Sequence, residues 1–196
     1  MSGVFHKLWK EGLVEYDRRR QIKWRWMTLD AATTKAPLGG SKTGPNPTDR
    51  GKLGAKRSVL TDTRGVVIGI AIGPANQHDI KLALPTIESI PIHRPQPRPW
   101  HTQHMCADKA YHSAEFRKTL RRRHFIPHVK SRGEEQSEKR KPQHVKPRRW
   151  VNERTQSWFN RFRGILIRWD KKHMNYLARL EFVAAWIAFR QSGVLG

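Results

Sequence analysis

A single cysteine, Cys106, stands among the 196 residues, so no disulfide can form within the chain and a reducing compartment suits it. Acidic side chains are scarce as well: 16 Asp plus Glu face 39 Lys plus Arg, leaving a formal charge of +23. That excess argues against an acidic binding surface and for a polyanionic partner, nucleic acid ahead of an anionic membrane. Long apolar runs are missing. The longest, Phe182 to Phe189, is far short of the roughly 20 residues a spanning helix needs. The opening stretch "MSGVFHKLWKEGLVEYDRRR" is charged throughout and has no apolar centre of the kind a secretory signal is built around. What is there suffices for one core: 37% of residues are hydrophobic, eight Trp among them, in a length too short for two comfortable domains.

Periodicity divides the chain. Residues 1–20 carry Val4, Phe5, Leu8, Trp9, Leu13 and Val14 near helical spacing and end in the basic cluster Arg18–Arg20. From Ile22 the period changes to that of a strand, with Ile22, Trp24, Trp26, Thr28 and Asp30 on one face, and Asp30 is expected to close it. Residues 35–56, rich in Gly, Pro, Lys and Thr, read as a basic loop with no apolar face to bury. "RSVLTDTRGVVIGIAIGPANQHD" predicts an antiparallel hairpin around Thr63-Arg64-Gly65, with Asp79 capping a helix over "DIKLALPTIESI". A Pro-rich connector, "PIHRPQPRPW", precedes a short strand that ends at Asp108. Ser113 then caps a helix, "HFIPHV" suggests a brief strand, and residues 130–149 form a second basic loop. Val151, Trp158, Phe162, Ile165 and Trp169 predict one helical stripe, and "NYLARLEFVAAWIAFR" a final apolar helix. This order describes an α/β chain with a mixed sheet flanked by helices, and it fits the ribonuclease-H-like fold.

Three carboxylates stand in suggestive places: Asp30 and Asp108 at strand ends, and Glu153 in the first turns of a basic helix. If the two strands are neighbours, the aspartates meet. Clustered carboxylates repel unless a cation lies between them, and hard oxygen donors suit Mg²⁺ or Mn²⁺. Two such ions about 3.5–4 Å apart would serve phosphodiester displacement. The plain alternatives stand beside this reading: a strand-end Asp caps a turn or pairs with an arginine, and a Glu near a helix N-terminus is favourable through the helix dipole alone.

The stretches "TLDAATTKAPLGGSKTGPNPTDRGKLGAKRSVLTDTRG", "ANQHD", "CADKAYHS" and "RRWVNERTQSWFNRFRGILIRWDKKHMNYLARLEFVAAWIAFR" resemble the catalytic region of bacterial insertion-sequence transposases of the insertion-sequence-5 type, from about Leu8 to the C-terminus. The most specific parts are the loop "LGGSKTGPNPTDRGK" and the helix "RRWVNERTQSWFNRFR". The resemblance implies an Asp-Asp-Glu triad of Asp30, Asp108 and Glu153 holding two Mg²⁺ or Mn²⁺ ions, the first Asp touching both. Arg149 matches the arginine of the family's acidic-helix motif and Tyr111 the aromatic after the second aspartate. Asn160 and Lys146 depart from it, standing where a basic residue and a tyrosine are usual, with Arg161 a candidate substitute for the former. Relatives carry a helical DNA-binding region ahead of the first catalytic strand. Here only the helix at 1–20 occupies that place, which implies a truncated copy or the second frame of a split element.

The spacing G-x-x-x-x-G-K-[ST] is not met around Gly39-Gly40 or Gly51-Lys52, which excludes a nucleotide phosphate loop, and His101, His104, Cys106 and His112 lack a zinc-site pattern. Lys42, Lys52 and Lys56 are candidate DNA-phosphate ligands, as are Arg149, Arg154 and Arg161, the last two extended by Arg168 along one helical face. The expectation is a DNA transposase acting on element ends and target as a homo-oligomer, in the bacterial cytoplasm and at the nucleoid. Its rivals are a degenerate fragment that only binds DNA and a nuclease of the same fold.

Overall fold

The computed structural model describes residues 3–129 and 150–195. Helix α1 (Val4–Arg20) leads into strand β1 (Trp26–Lys35), the two-residue β2 (Gly44–Pro45), β3 (Leu53–Thr61), β4 (Val67–Pro74) and helix α2 (Ile80–Glu88). Strand β5 (Gln103–Ala107), a 3₁₀ turn (Lys109–Tyr111), helix α3 (Ala114–Arg122) and strand β6 (Phe125–His128) follow. Helix α4 (Trp150–Asn160), one helical turn (Arg163–Leu166) and helix α5 (His173–Ser192) complete the described chain.

The strands form one mixed sheet. β1 pairs antiparallel with β3, which pairs antiparallel with both β2 and β4, while β5 runs parallel to β1 and β6 parallel to β5. The order β4-β3-β1-β5-β6, with its antiparallel half first and its parallel half reached through helices, is the ribonuclease-H-like arrangement. The hairpin between β3 and β4 turns where expected. Gly65 takes a φ of +81°, and a Cβ there would meet Thr155 Oγ1 of α4 at 2.7 Å, so this turn needs glycine twice over. Asp62, fully buried, braces the same turn by accepting from the Tyr16 hydroxyl at 2.9 Å and from the amides of Arg64 and Val66 at 2.9 and 3.0 Å.

The core joins both ends of the chain to the sheet. α1 buries Trp9, Leu13 and Tyr16, and Trp9 Nε1 donates to the Val67 carbonyl of β4 at 3.0 Å. α1 lies along α5 so closely that a Cβ on Gly12 would meet Phe189 and Ala188 at 3.2 and 3.3 Å. Residues 1–20 are thus packed into the same core as the sheet, and truncating a buried side chain such as Leu13 would cost about 2–5 kcal/mol.

Three expectations need correction. β1 does not end at Asp30 but begins at Trp26 and continues to Lys35, because Ala31-Ala32-Thr33-Thr34 pair in register with Ser58–Ala55 and small side chains leave no hydrophobic signal. Residues 35–56 are not merely a loop, since they contain β2 and the start of β3 and bury Ala36, Gly44 and Asn46. The stripe from Val151 to Trp169 is not one helix. α4 stops at Asn160, and the chain then extends so that Arg168 N donates to the Lys35 carbonyl at 2.8 Å, while the freed Ile165 carbonyl accepts from Tyr176 Oη and Thr34 Oγ1, both at 3.2 Å. Trp169 is left exposed. The basic stretch 130–149, with Lys146 and Arg149, lies outside the described residues.

Candidate active site

Sheet register brings the two aspartates side by side. Leu29 of β1 pairs with Ala107 of β5 in parallel, so the next residue along each strand is Asp30 and Asp108. Thr28 and Cys106, also paired, lie two residues back on the same face, as the period of a strand requires. Asp108 leaves the sheet there: its side chain accepts from the Lys109 amide at 2.6 Å and caps the 3₁₀ turn. The capping reading is thereby met for Asp108, and it leaves the carboxylate on the cleft.

α4 crosses this face and adds the third acid. A cleft of about 100 Å³ is lined by Thr28, Asp30, Cys106 and Asp108 from the sheet and by Asn152 and Glu153 from α4. Burial pushes the Asp30 carboxyl up to about 6, against a bond from the Ala31 amide at 2.8 Å, and the charges of Asp108, Asp79 and Glu153 push the same way. Four carboxylates therefore act on one small region, in a chain with few others. Among the described residues, no three Asp, Glu, His or Cys side chains converge closely enough to enclose an ion. The donor set nonetheless fits a hard divalent cation. It is all carboxylate oxygen, it sits in a shared cleft, and its innermost member carries a proton affinity that positive charge would relieve.

Two sets of contacts that patterning missed tie α4, the helix that carries Glu153, to β3. Arg57 of β3, 2% exposed, donates from Nε to Gln156 Oε1 at 2.7 Å and from its η2 nitrogen to Asn160 Oδ1 at 2.5 Å, beneath the ring of Phe159. Asn160, which departs from the family pattern, accepts from a buried guanidinium. Asn152, 1% exposed, accepts from Thr61 Oγ1 at 3.2 Å, and Thr61 meets Thr28 at 2.7 Å. Its Nδ2 is buried and has no hydrogen-bond partner among the described residues, in a residue that lines the cleft. No short-range pattern marks Asn152, because its importance comes from the strand it packs on. Tyr111 is buried near the aspartates, where burial and the Asp79 and Asp30 charges hold its hydroxyl protonated well above the usual range.

The cationic candidates divide. Lys42 and Lys52 are exposed, as is Arg161. Lys56 is instead bonded through Nζ to Asp79 Oδ1 at 2.5 Å and to the Gln77 carbonyl at 2.6 Å, so Asp79 serves as an ion-pair partner and makes no side-chain cap on α2. Arg154 donates to the Arg64 carbonyl at 2.7 Å and lies between the rings of Trp150 and Trp158. Arg168, expected on the same face, is 1% exposed and pins the glycine-rich loop through bonds to the Ser41 carbonyl at 2.7 Å and the Lys42 carbonyl at 3.2 Å. The three arginines form no continuous stripe.

Residues 26–187 match the model of the transposase DDE domain family. The chain belongs to this family. A curated protein of Burkholderia cepacia, named as a transposase for insertion sequence element IS402, is 35% identical over 139 residues, 68% of this chain. The chain spans 62% of that relative's length. Among solved structures it is similar to the catalytic domain of Mos1 mariner transposase, at 11% identity over 98% of this chain and 95% of that one with a TM-score of 0.38. It is also similar to a pre-cleavage Mos1 transpososome, at 11% identity over 98% and 64% with a TM-score of 0.39. Scores this low carry no weight for the site of this DDE-family chain.

Proposed function

We propose that this chain is the catalytic part of an insertion-sequence DNA transposase of the insertion-sequence-5 type, with Asp30, Asp108 and Glu153 as its metal-binding triad. The observation that carries the reading is the single cleft lined by all three, one from β1, one from the end of β5 and one from α4. In this reading residues 21–196 form the catalytic unit and residues 1–20 brace it. The carboxylates would hold Mg²⁺ or Mn²⁺, two ions in all, which would supply Lewis-acid stabilisation to the attacking and leaving oxygens of a phosphodiester. The protein's own share is positioning. Asp30 and Asp108 are placed by strand register, and α4, which carries Glu153, is tied to β3 by the Arg57 bonds to Gln156 and Asn160 and by the Thr61 bond to Asn152.

Water attack at an element end would free a 3′ hydroxyl, and the same site would then direct that hydroxyl at target DNA. Both are in-line displacements at phosphorus. The partners are element ends and target DNA, engaged by a homo-oligomer in the bacterial cytoplasm and at the nucleoid, with the exposed Lys42, Lys52 and Arg161 the first candidates for phosphate contacts and Arg149 and Arg154 further ones. No described helix is long and apolar enough to cross a membrane. The test is joining: a pre-cut substrate with a free 3′ hydroxyl should yield joined product in Mg²⁺ or Mn²⁺. Hydrolysis without joining would mark a nuclease, and salt-sensitive DNA binding without either would mark a binding remnant.

A further inference from the structure

The Pro-rich connector between α2 and β5 is not loose. Arg94 lies over the Phe125 ring at 3.8 Å and donates to Gln103 Oε1 at 2.6 Å and to the Arg123 carbonyl at 2.7 Å, while Gln103 Nε2 returns a bond to the Pro95 carbonyl at 2.8 Å. Arg98 and His101 close a bridge through their backbones, which presents Trp100 at the tip, 73% exposed. Facing this tip is the segment that leads into β1, held at Arg25 by a bond from the His104 amide at 2.8 Å.

Between the two lies a groove of about 790 Å³. Lys23, Arg25 and Arg98 line it, with Trp24 and Trp100, and no acidic side chain does. It opens at the start of β5, whereas Asp108 follows the end of that five-residue strand, roughly 17 Å away at the rise of an extended chain. It shares no lining residue with the carboxylate cleft.

We infer that this groove is a second nucleic-acid site, one that takes an unpaired stretch of strand. The cations neutralise phosphates, and an exposed indole on a backbone-bridged turn offers a stacking platform that every base can use. Inside a duplex the bases are stacked on one another and leave no free face for Trp100, so the aromatic selects the unpaired form. The inference has DNA as its ligand in common with the proposed function, but it needs neither the carboxylates nor a metal.

The test is a titration of the full chain into labelled oligothymidine and, separately, a blunt duplex, both in chelator. Trp100→Ala should weaken oligothymidine binding roughly five- to a hundredfold, the worth of one base–aromatic stack, and leave duplex binding unchanged. Trp100→Phe should restore most of it. Arg25→Ala with Arg98→Ala should lower the salt slope for the oligonucleotide by about 1.4, two single-strand phosphate contacts. Unchanged oligothymidine affinity in Trp100→Ala, or an equal loss for duplex, would overturn the inference even if the parent joins DNA. The expected losses in a chain that joins nothing would uphold it and sink the transposase reading instead.

Discussion

Replacing Asp30 by asparagine should stabilise the protein while silencing it. Burial and like charge raise the Asp30 carboxyl from an ordinary 3.8 to about 6, so folding disfavours its ionised form. The sign follows: below the unfolded value the carboxyl is protonated in both states and costs nothing, and the cost grows through the interval and is fully present above about 6. A shift of that size corresponds to about 3 kcal/mol at neutral pH, and partial solvent access lowers it to about 2 kcal/mol. Asparagine keeps an oxygen for the Ala31 amide, so the bond at 2.8 Å is retained and only the charge goes. In a chain of this length about 2 kcal/mol raises Tm by roughly 4–8 °C. The assay is thermal unfolding of both proteins in chelator at pH 7.5 and again at pH 4.5, where the gap should shrink. Addition of Mn²⁺ should raise the Tm of the parent more than that of Asp30→Asn. An asparagine variant that melts at or below the parent in chelator would refute the account of a strained carboxylate.

Other outcomes follow from the packing. Arg57→Ala should destabilise by about 2–4 kcal/mol in denaturant titrations, because Gln156 and Asn160 lose a buried charged donor, and Arg57→Lys should not restore it since the fork spans both acceptors. Lys42→Ala and Lys52→Ala should each lower the salt slope of duplex binding by about 1, whereas Lys56→Ala should leave the slope alone and lower Tm by stranding Asp79. Arg168→Ala should open the loop around Ser41 and Lys42 to limited proteolysis, with little change in the salt slope of DNA binding.

The features legible in the sequence were those written in local periods. Alternation and the Thr63-Arg64-Gly65 turn marked the β3–β4 hairpin, the Ser113 hydroxyl caps α3 by accepting from the Phe116 amide at 3.3 Å, and the element order was enough for a mixed sheet, while the adjacency of the strands that lead to Asp30 and Asp108 stood as a condition that the β1–β5 pairing meets. Illegible were the features that depend on long-range pairing. The second half of β1 is Ala and Thr, which only the ladder to β3 makes a strand. The roles of Arg57, Lys56 and Arg168 were hidden among 39 basic residues, because a buried guanidinium and a solvated one look alike in one dimension. The Pro-rich connector contains no helix or strand, as its prolines require, but what holds it was not legible, since Gln103 and Phe125 lie outside it.

The central claim is that Asp30, Asp108 and Glu153 serve one site. Its most direct measurement is Mn²⁺-dependent joining of a pre-cut DNA end by the parent and by Asp30→Asn, Asp108→Asn and Glu153→Gln, with duplex affinity measured on the same preparations. Each variant should lose at least about a hundredfold in joining, the worth of several kcal/mol of metal-borne charge stabilisation, and keep its affinity. Joining at the parent rate by any one of the three would contradict the claim.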